Sequence, residues 1–300
     1  MITTSQLGNR GNLGNQMFQI ASVIGIAEKN VQDYFFPVWK FEDWFEHEFP
    51  HGNLDESFTL IREKQFHVYD WNLKNGNFDL KGWMQSEKYF DIKKVRKTFE
   101  FKKDVIGNIV QKYNYLFDKK AIIISVRRGD FVNNPIYFQL SYRYYLLGLF
   151  ENFPDFQQYN LIFTSDDIAY CKRHFSFLPN AFFSENVAPM EQLIIGQQCD
   201  HFIISNSTFS WWLAWLGEKK HSKIIRPMQN FRGEFAKENN DCDFFPERWL
   251  AFDDKNFELK NLYGLKAKAA VYDFKTDLKF YFRKYLNVLK KQVKKILGKK

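Results

Sequence analysis

The chain has 300 residues, enough for two compact domains or one large one. Its formal net charge of +8 is uneven: residues 266–300 hold twelve Lys/Arg against two Asp, which leaves the preceding 265 residues at −2 and excludes a basic nucleic-acid surface on the body. No apolar run reaches the roughly 18 residues that span a bilayer. The start Met1-Ile2-Thr3-Thr4-Ser5 lacks a basic segment followed by an apolar one, so no secretory signal is expected. Cys171, Cys199 and Cys242 are scattered without C-x-x-C spacing, which argues against a disulfide framework or zinc site and fits a reducing cytoplasm.

In chain order, a polar strand is expected at Ile2–Leu7. It leads through Gly11-Asn12-Leu13-Gly14-Asn15-Gln16 into a helix from about Gln16 to Lys29. Small residues at a strand-to-helix junction let a ligand approach the backbone, and the helix start offers free N–H groups to an anion. A tight turn is the competing reading. A second strand is plausible at Tyr34–Pro37. Residues 39–75 are aromatic, acidic and weakly periodic, and residues 31–118 carry no readable motif.

The second half is more regular. Short apolar runs at Ala121–Val126, Leu161–Thr164, His201–Ser205 and Lys223–Arg226 read as buried strands. Helical patterns at Ser141–Phe150, Pro189–Cys199 and Phe209–Leu216 lie between them. The alternation predicts a doubly wound parallel sheet over about residues 120–265.

Three polar segments follow these strands, where open α/β sheets bind ligands. Ser125-Val126-Arg127-Arg128-Gly129-Asp130 offers an arginine fork for a diphosphate, which would stabilise leaving-group charge. An Arg–Asp pair that only holds the fold is the alternative, and a split between the two arginines accommodates both. In Thr164-Ser165-Asp166-Asp167, one carboxylate can accept guanine N1–H and N2–H together, while the other can cap a helix. Ser205-Asn206-Ser207 suits a phosphate at the helix start. Of Trp211, Trp212 and Trp215 at least two should be core, since 211 and 212 are about 100° apart. Asp241-Cys242-Asp243 has the D-x-D form that can bridge Mn²⁺ or Mg²⁺ to a diphosphate. It follows no apolar strand and reads as surface acids, so no metal site is expected.

Taken together these segments resemble the bacterial α-1,2-fucosyltransferases of glycosyltransferase family 11. Gly11–Gln19 is similar to the family's G-G-L-G-N-Q-M-F-Q start and Ser125–Asp130 to its H-x-R-R-x-D motif. Thr164–Lys172 resembles S-D-D-x-x-x-C-K, and Ile204–Gly217 its Ser/Asn-rich double-Trp segment. Asn12 stands where the family has its second glycine, and Ser125 where it has histidine. The resemblance implies an α/β, GT-B-like fold of two Rossmann-like domains, with residues 1–118 on the acceptor side and 119–265 binding the donor. It implies inverting transfer of L-fucose from GDP-fucose to the 2-hydroxyl of a terminal galactose, with no required metal or other cofactor. By position, Arg127 would hold the β-phosphate and Arg128 support its loop. Ser125 would contribute at the base and Asp166 bind guanine. Ser205, Asn206 and Ser207 would line the phosphates, and Gly14, Asn15 and Gln16 would close over the donor. Asp130 is the candidate base. The alternatives are a GDP-sugar-dependent enzyme of other linkage or sugar, and a nucleotide-sugar-binding protein without turnover.

The tail, residues 266–300, is a separate object. Leu278, Phe282, Tyr285, Leu286, Leu289, Val293, Ile296 and Leu297 recur at helical spacing, with Lys279, Lys284, Lys290, Lys291, Lys294 and Lys295 filling the other face. Residues 276–300 are expected to lie on an anionic membrane surface as a basic amphipathic helix, making the enzyme peripheral on the cytoplasmic face and suiting a lipid-linked glycan acceptor. Docking on the body and a coiled-coil seam are the alternatives.

Overall fold

Two parallel sheets carry the fold of the computed structural model, which describes residues 1–258 and 263–296. In the first half, β1 (Ile2–Thr3), β2 (Phe58–Arg62) and β3 (Asn77–Lys81) pair in the spatial order β1-β3-β2. Helix α1 (Leu13–Lys29) follows β1. Helices α2 (Ile92–Thr98) and α3 (Lys103–Lys112) lead out of this half.

The second sheet contains β4 (Ala121–Val126), β5 (Asn160–Ser165), β6 (Ala181–Phe183), β7 (His201–Ile204), β8 (Ile224–Pro227) and β9 (Leu250–Phe252). Their order is β6-β5-β4-β7-β8-β9, all parallel. Every residue of β4 is buried, as expected for a strand covered on both faces. The crossovers are α4 (Tyr142–Asn152), α5 (Ile168–Phe175), α6 (Pro189–Gln198), α7 (Thr208–Gly217) and α8 (Gly233–Glu238). From β4 the chain first winds outward through β5 and β6, then returns to β7 on the other side. The topological switch point therefore lies between β4 and β7. A long helix, α9 (Tyr263–Ile296), ends the described chain; Leu297 and the rest of 297–300 lie outside the described residues.

The four strands expected in the second half appear within a residue or two. The first half departs further. The strand expected over Ile2–Leu7 stops at Thr3, because Ser5 turns away to bond Asp79 through both its N–H and its hydroxyl. The strand expected at Tyr34–Pro37 is reduced to isolated bridges, Ile2 with Tyr34 and Phe36 with His51. Helix α1 begins at Leu13 rather than Gln16, so Gly14, Asn15 and Gln16 form its first turn.

A shared core joins the halves. Helix α7 has no solvent face: Trp211, Trp212 and Trp215 are all fully buried, within the expectation of at least two, because α1 covers the side that the sheet and α6 leave. Phe18 of α1 lies 4.6 Å from the Trp211 ring and 5.0 Å from that of Trp212. The starts of α1 and α7 touch backbone to backbone. A Cβ on Gly14 would come within 2.5 Å of the Thr208 carbonyl carbon, and Trp212 donates its indole N–H to the Gly14 carbonyl at 3.0 Å. Gly14→Ala should therefore force the helix starts apart and cost about 1–3 kcal/mol, the usual penalty of overpacking. Urea unfolding is the check; an unchanged midpoint would contradict the close contact.

Candidate functional site

The carboxyl ends of both sheets open into one cavity of about 920 Å³. Its walls come from the segments after β1, β2 and β3 on one side and after β4, β5, β6, β7 and β8 on the other. Sheet carboxyl ends are where α/β folds bind ligands, and here two sets face each other.

The charged centre lies after β4. Arg127 bridges two carboxylates, Asp130 at 2.7 Å and Asp166 at 3.0 Å. Asp166 also accepts the Arg128 backbone N–H at 2.9 Å, which ties the end of β5 to the loop after β4. That approach requires Gly129, since a Cβ there would meet Asp166 Oδ2 at 2.3 Å. Burial pushes the Asp166 carboxyl above its ordinary value, against the pull of Arg127 and the Arg128 N–H. Asp167 caps α5 by accepting the Tyr170 N–H, so the adjacent aspartates divide between helix cap and cavity wall. Asp130 sits at the rim, its side chain 62% exposed.

The two arginines differ. Arg127 lines the cavity. Arg128 is buried beside it, with its guanidinium 3.9 Å from the Tyr170 ring and 3.7 Å from Asp167, and does not line the cavity. At the switch point, the hydroxyls of Ser125 and Ser205 both contact that of Ser210, at 2.7 and 2.8 Å. Ser125, standing where the resemblance has histidine, is thus part of a buried serine cluster under the start of α7. Ser205 lies beneath the wall rather than on it. Asn206 lines the cavity, but its side-chain amide clamps the Phe138 and Asn230 carbonyls. Ser207 caps α7 by accepting the Phe209 N–H, and the start of that helix points its positive end at the cavity.

On the opposite wall, Asn12 is the N-cap of α1 with φ −83°, a backbone any residue adopts, so glycine is not needed there. Gly14 and Asn15 line the cavity, and Asn15 accepts from Gln85. Gln16 is spent on the fold: its amide donates to the Gly11 carbonyl and accepts the Trp39 indole N–H, both at 2.8 Å.

Asp241-Cys242-Asp243 lies between α8 and β9, and both of its carboxylates are engaged. These are not idle surface acids. Asp241 accepts the N–H groups of Asn230 and Phe231, while the buried Asp243 accepts that of Val68. Each carboxylate fixes a loop, and their donors lie on different segments.

Sequence reasoning missed two features of the wall. Glu63, directly after β2, accepts the Trp83 and Met84 N–H groups at 2.6 and 2.9 Å, and burial raises its pKa to about 6. An aromatic surface crosses the opening: Phe66, after β2, meets Phe231, after β8, at 4.7 Å, and Phe131 stacks on Tyr137 at 4.0 Å in the loop after β4. The β-prone run Phe58-Thr59-Leu60-Ile61 was the available signal for a strand ending just before Glu63.

A fixed arginine on the wall, a helix start and an aromatic surface suit a phosphorylated sugar donor and a sugar acceptor. The chain is similar to an alpha-1,2-colitosyltransferase of Escherichia coli, 24% identical over 80% of this chain and 96% of that protein. It is also similar to the O-antigen biosynthesis glycosyltransferase WbnK of Escherichia coli, 28% identical over 42% of this chain and 43% of that one. Among solved structures it is similar to fucosyltransferase NodZ from Bradyrhizobium, at 11% identity and TM-score 0.49 over 71% of this chain and 92% of that one, a likeness too loose to bear on the chemistry. The family model described as glycosyl transferase family 11 matches residues 2–251, from β1 into β9 and including every segment lining the cavity, and the chain belongs to that family.

Proposed function

We propose that this glycosyltransferase moves L-fucose from GDP-fucose to the 2-hydroxyl of a terminal galactose in a surface glycan, inverting the anomeric centre. The observation that carries the reading is Arg127, held by Asp130 and Asp166 on the cavity wall beside the start of α7. Negative charge grows on the β-phosphate as the glycosyl bond breaks. A fixed guanidinium and a helix N-terminus aimed there stabilise the transition state more than the ground state. These two groups do the work a divalent cation does elsewhere, while Asp241 and Asp243 are occupied by backbone donors.

In this GT-B-like reading, residues 1–118 form the acceptor side and 119–265 the donor side. Asp166 has a lone pair free on each oxygen for guanine, Asn206 and Ser207 flank the phosphates, and Gly14 and Asn15 close the donor from across the cavity. Gln16, Arg128, Ser125 and Ser205 hold those segments in place. The Escherichia coli colitosyltransferase favours a second sugar, since colitose is fucose without its 3-hydroxyl and makes the same α-1,2 linkage in that relative's name. Purified protein given lactose and either GDP-fucose or GDP-colitose, with EDTA present, should yield a 2-linked product. Product only on adding Mn²⁺ would contradict the metal-free reaction; no product from either donor would contradict the function.

The same reading places the enzyme in the cytoplasm, peripheral on an anionic membrane, where a lipid-linked acceptor is made. No helix among the described residues is long and apolar enough to cross a membrane. Support comes from the direction in which α9 faces. Asp277 binds Asn133 of the body at 2.5 Å, and Phe280 is half-buried. On the far side Phe274, Leu278, Phe282 and Tyr285 are each more than 60% exposed, flanked by Lys279, Arg283 and Lys290. An outward apolar stripe edged with cations matches a lipid surface rather than the protein's own core. The full chain should float with phosphatidylcholine vesicles containing phosphatidylglycerol and not with phosphatidylcholine alone. Lys279→Glu with Lys290→Glu should abolish flotation while leaving transfer to lactose unchanged. Equal flotation of the variant, or concentration-dependent dimerisation through α9 in its place, would overturn the membrane assignment.

A further inference from the structure

Inverting transfer needs a group to take the proton of the acceptor hydroxyl as that oxygen bonds to the anomeric carbon. Among the described residues lining the cavity, the acids are Glu63, Asp130 and Asp166, and there is no histidine. Asp130 and Asp166 are both tied to Arg127, the cation assigned to the leaving group, and lie on the donor wall. Glu63 stands on the other wall, directly after β2 and on the same segment as Phe66, whose ring meets Phe231 of the donor wall at 4.7 Å across the opening where a sugar would sit.

We infer that Glu63 is the general base that deprotonates the acceptor hydroxyl, an assignment that rests on the donor reading above. Its position is fixed by the N–H groups of Trp83 and Met84, one to each carboxylate oxygen, which leaves a lone pair on each for the acceptor. Gly82 makes room, since a Cβ there would come within 2.5 Å of the Glu63 Cβ. The charged and titratable groups around it are Arg10, whose guanidinium lies over the Trp83 ring, and the phenols of Tyr69 and Tyr89. Burial outweighs the pull of Arg10 and brings the carboxyl to about 6, where it is ionised at neutral pH yet more basic than an exposed glutamate.

In the step, the acceptor O–H bond breaks and its proton passes to a Glu63 carboxylate oxygen. The oxygen lone pair forms the new bond to the anomeric carbon. The pair of the old carbon–oxygen bond leaves on the β-phosphate, held by Arg127. Glu63 then loses its proton to water and is reset.

The test compares wild type with Glu63→Gln and Glu63→Asp, using GDP-fucose or GDP-colitose with lactose from pH 5 to 8. Wild-type kcat/KM should rise through an apparent pKa near 6. Glu63→Gln should lower kcat by about 10²–10⁴-fold. Its residual rate should not titrate, and GDP should bind as in the wild type. Glutamine presents an amide to one of the two N–H groups and can disturb the Trp83–Met84 turn. Glu63→Asp therefore serves as the second variant: it keeps a titrating group and should retain the acid limb at reduced kcat. A Glu63→Gln enzyme with wild-type kcat, or one that keeps the acid limb, overturns the base assignment alone. Absence of transfer by the wild type from either donor overturns the donor reading and this assignment together.

Discussion

The starts of α1 and α7 meet with no side chain between them. At Gly14 the backbone of one helix lies against the backbone of the other, and the Trp212 indole bonds across the junction. Everything at the cavity depends on that contact. Each helix follows the first or central strand of its own sheet, so bringing their starts together turns the carboxyl ends of both sheets toward one space. Three buried tryptophans then lock the arrangement, packing α7 against α1, the sheet and the segments before β4. A large shared apolar core is what allows the polar segments above it to be held still.

Much of the polar chemistry at the site is positioning. Asn206, Gln16 and the serine cluster spend their hydrogen bonds on neighbouring backbone, on the Trp39 indole or on each other, and Arg128 packs on the Tyr170 ring beside Asp167; together they fix the loops that carry Arg127, Asp166 and the start of α7. The Arg127 bracket shows the same economy. Two carboxylates restrain one guanidinium, so its charge is pre-aimed rather than found by rearrangement during reaction.

Legibility followed periodicity. The strands β4, β5, β7 and β8 are short, apolar and bounded, and the helices between them carry clear patterns, so the second sheet could be read with its loops. Those loops contain Arg127, Asp166 and Asn206. The first half resisted because its strands are brief or poorly buried: β1 has two residues, and β2 has no buried residue and no regular alternation. Glu63 was invisible for that reason, since nothing around it forms a motif. It acquires its environment from Trp83 and Met84, twenty residues later and brought close by the pairing of β2 with β3. Spacing could not divide the roles of the adjacent arginines either; burial does, with Arg128 inside and Arg127 on the wall.

The most direct test of the account is GDP binding by calorimetry to wild type and Arg127→Ala. Loss of a charge-assisted contact to phosphate removes about 1.5–3 kcal/mol, which corresponds to GDP affinity about 10–100-fold weaker in the variant. Guanosine, which has no phosphate, should bind both proteins equally. GDP binding of equal strength to wild type and Arg127→Ala would contradict the placement of the diphosphate at Arg127, and with it the direction in which the donor is read across the cavity.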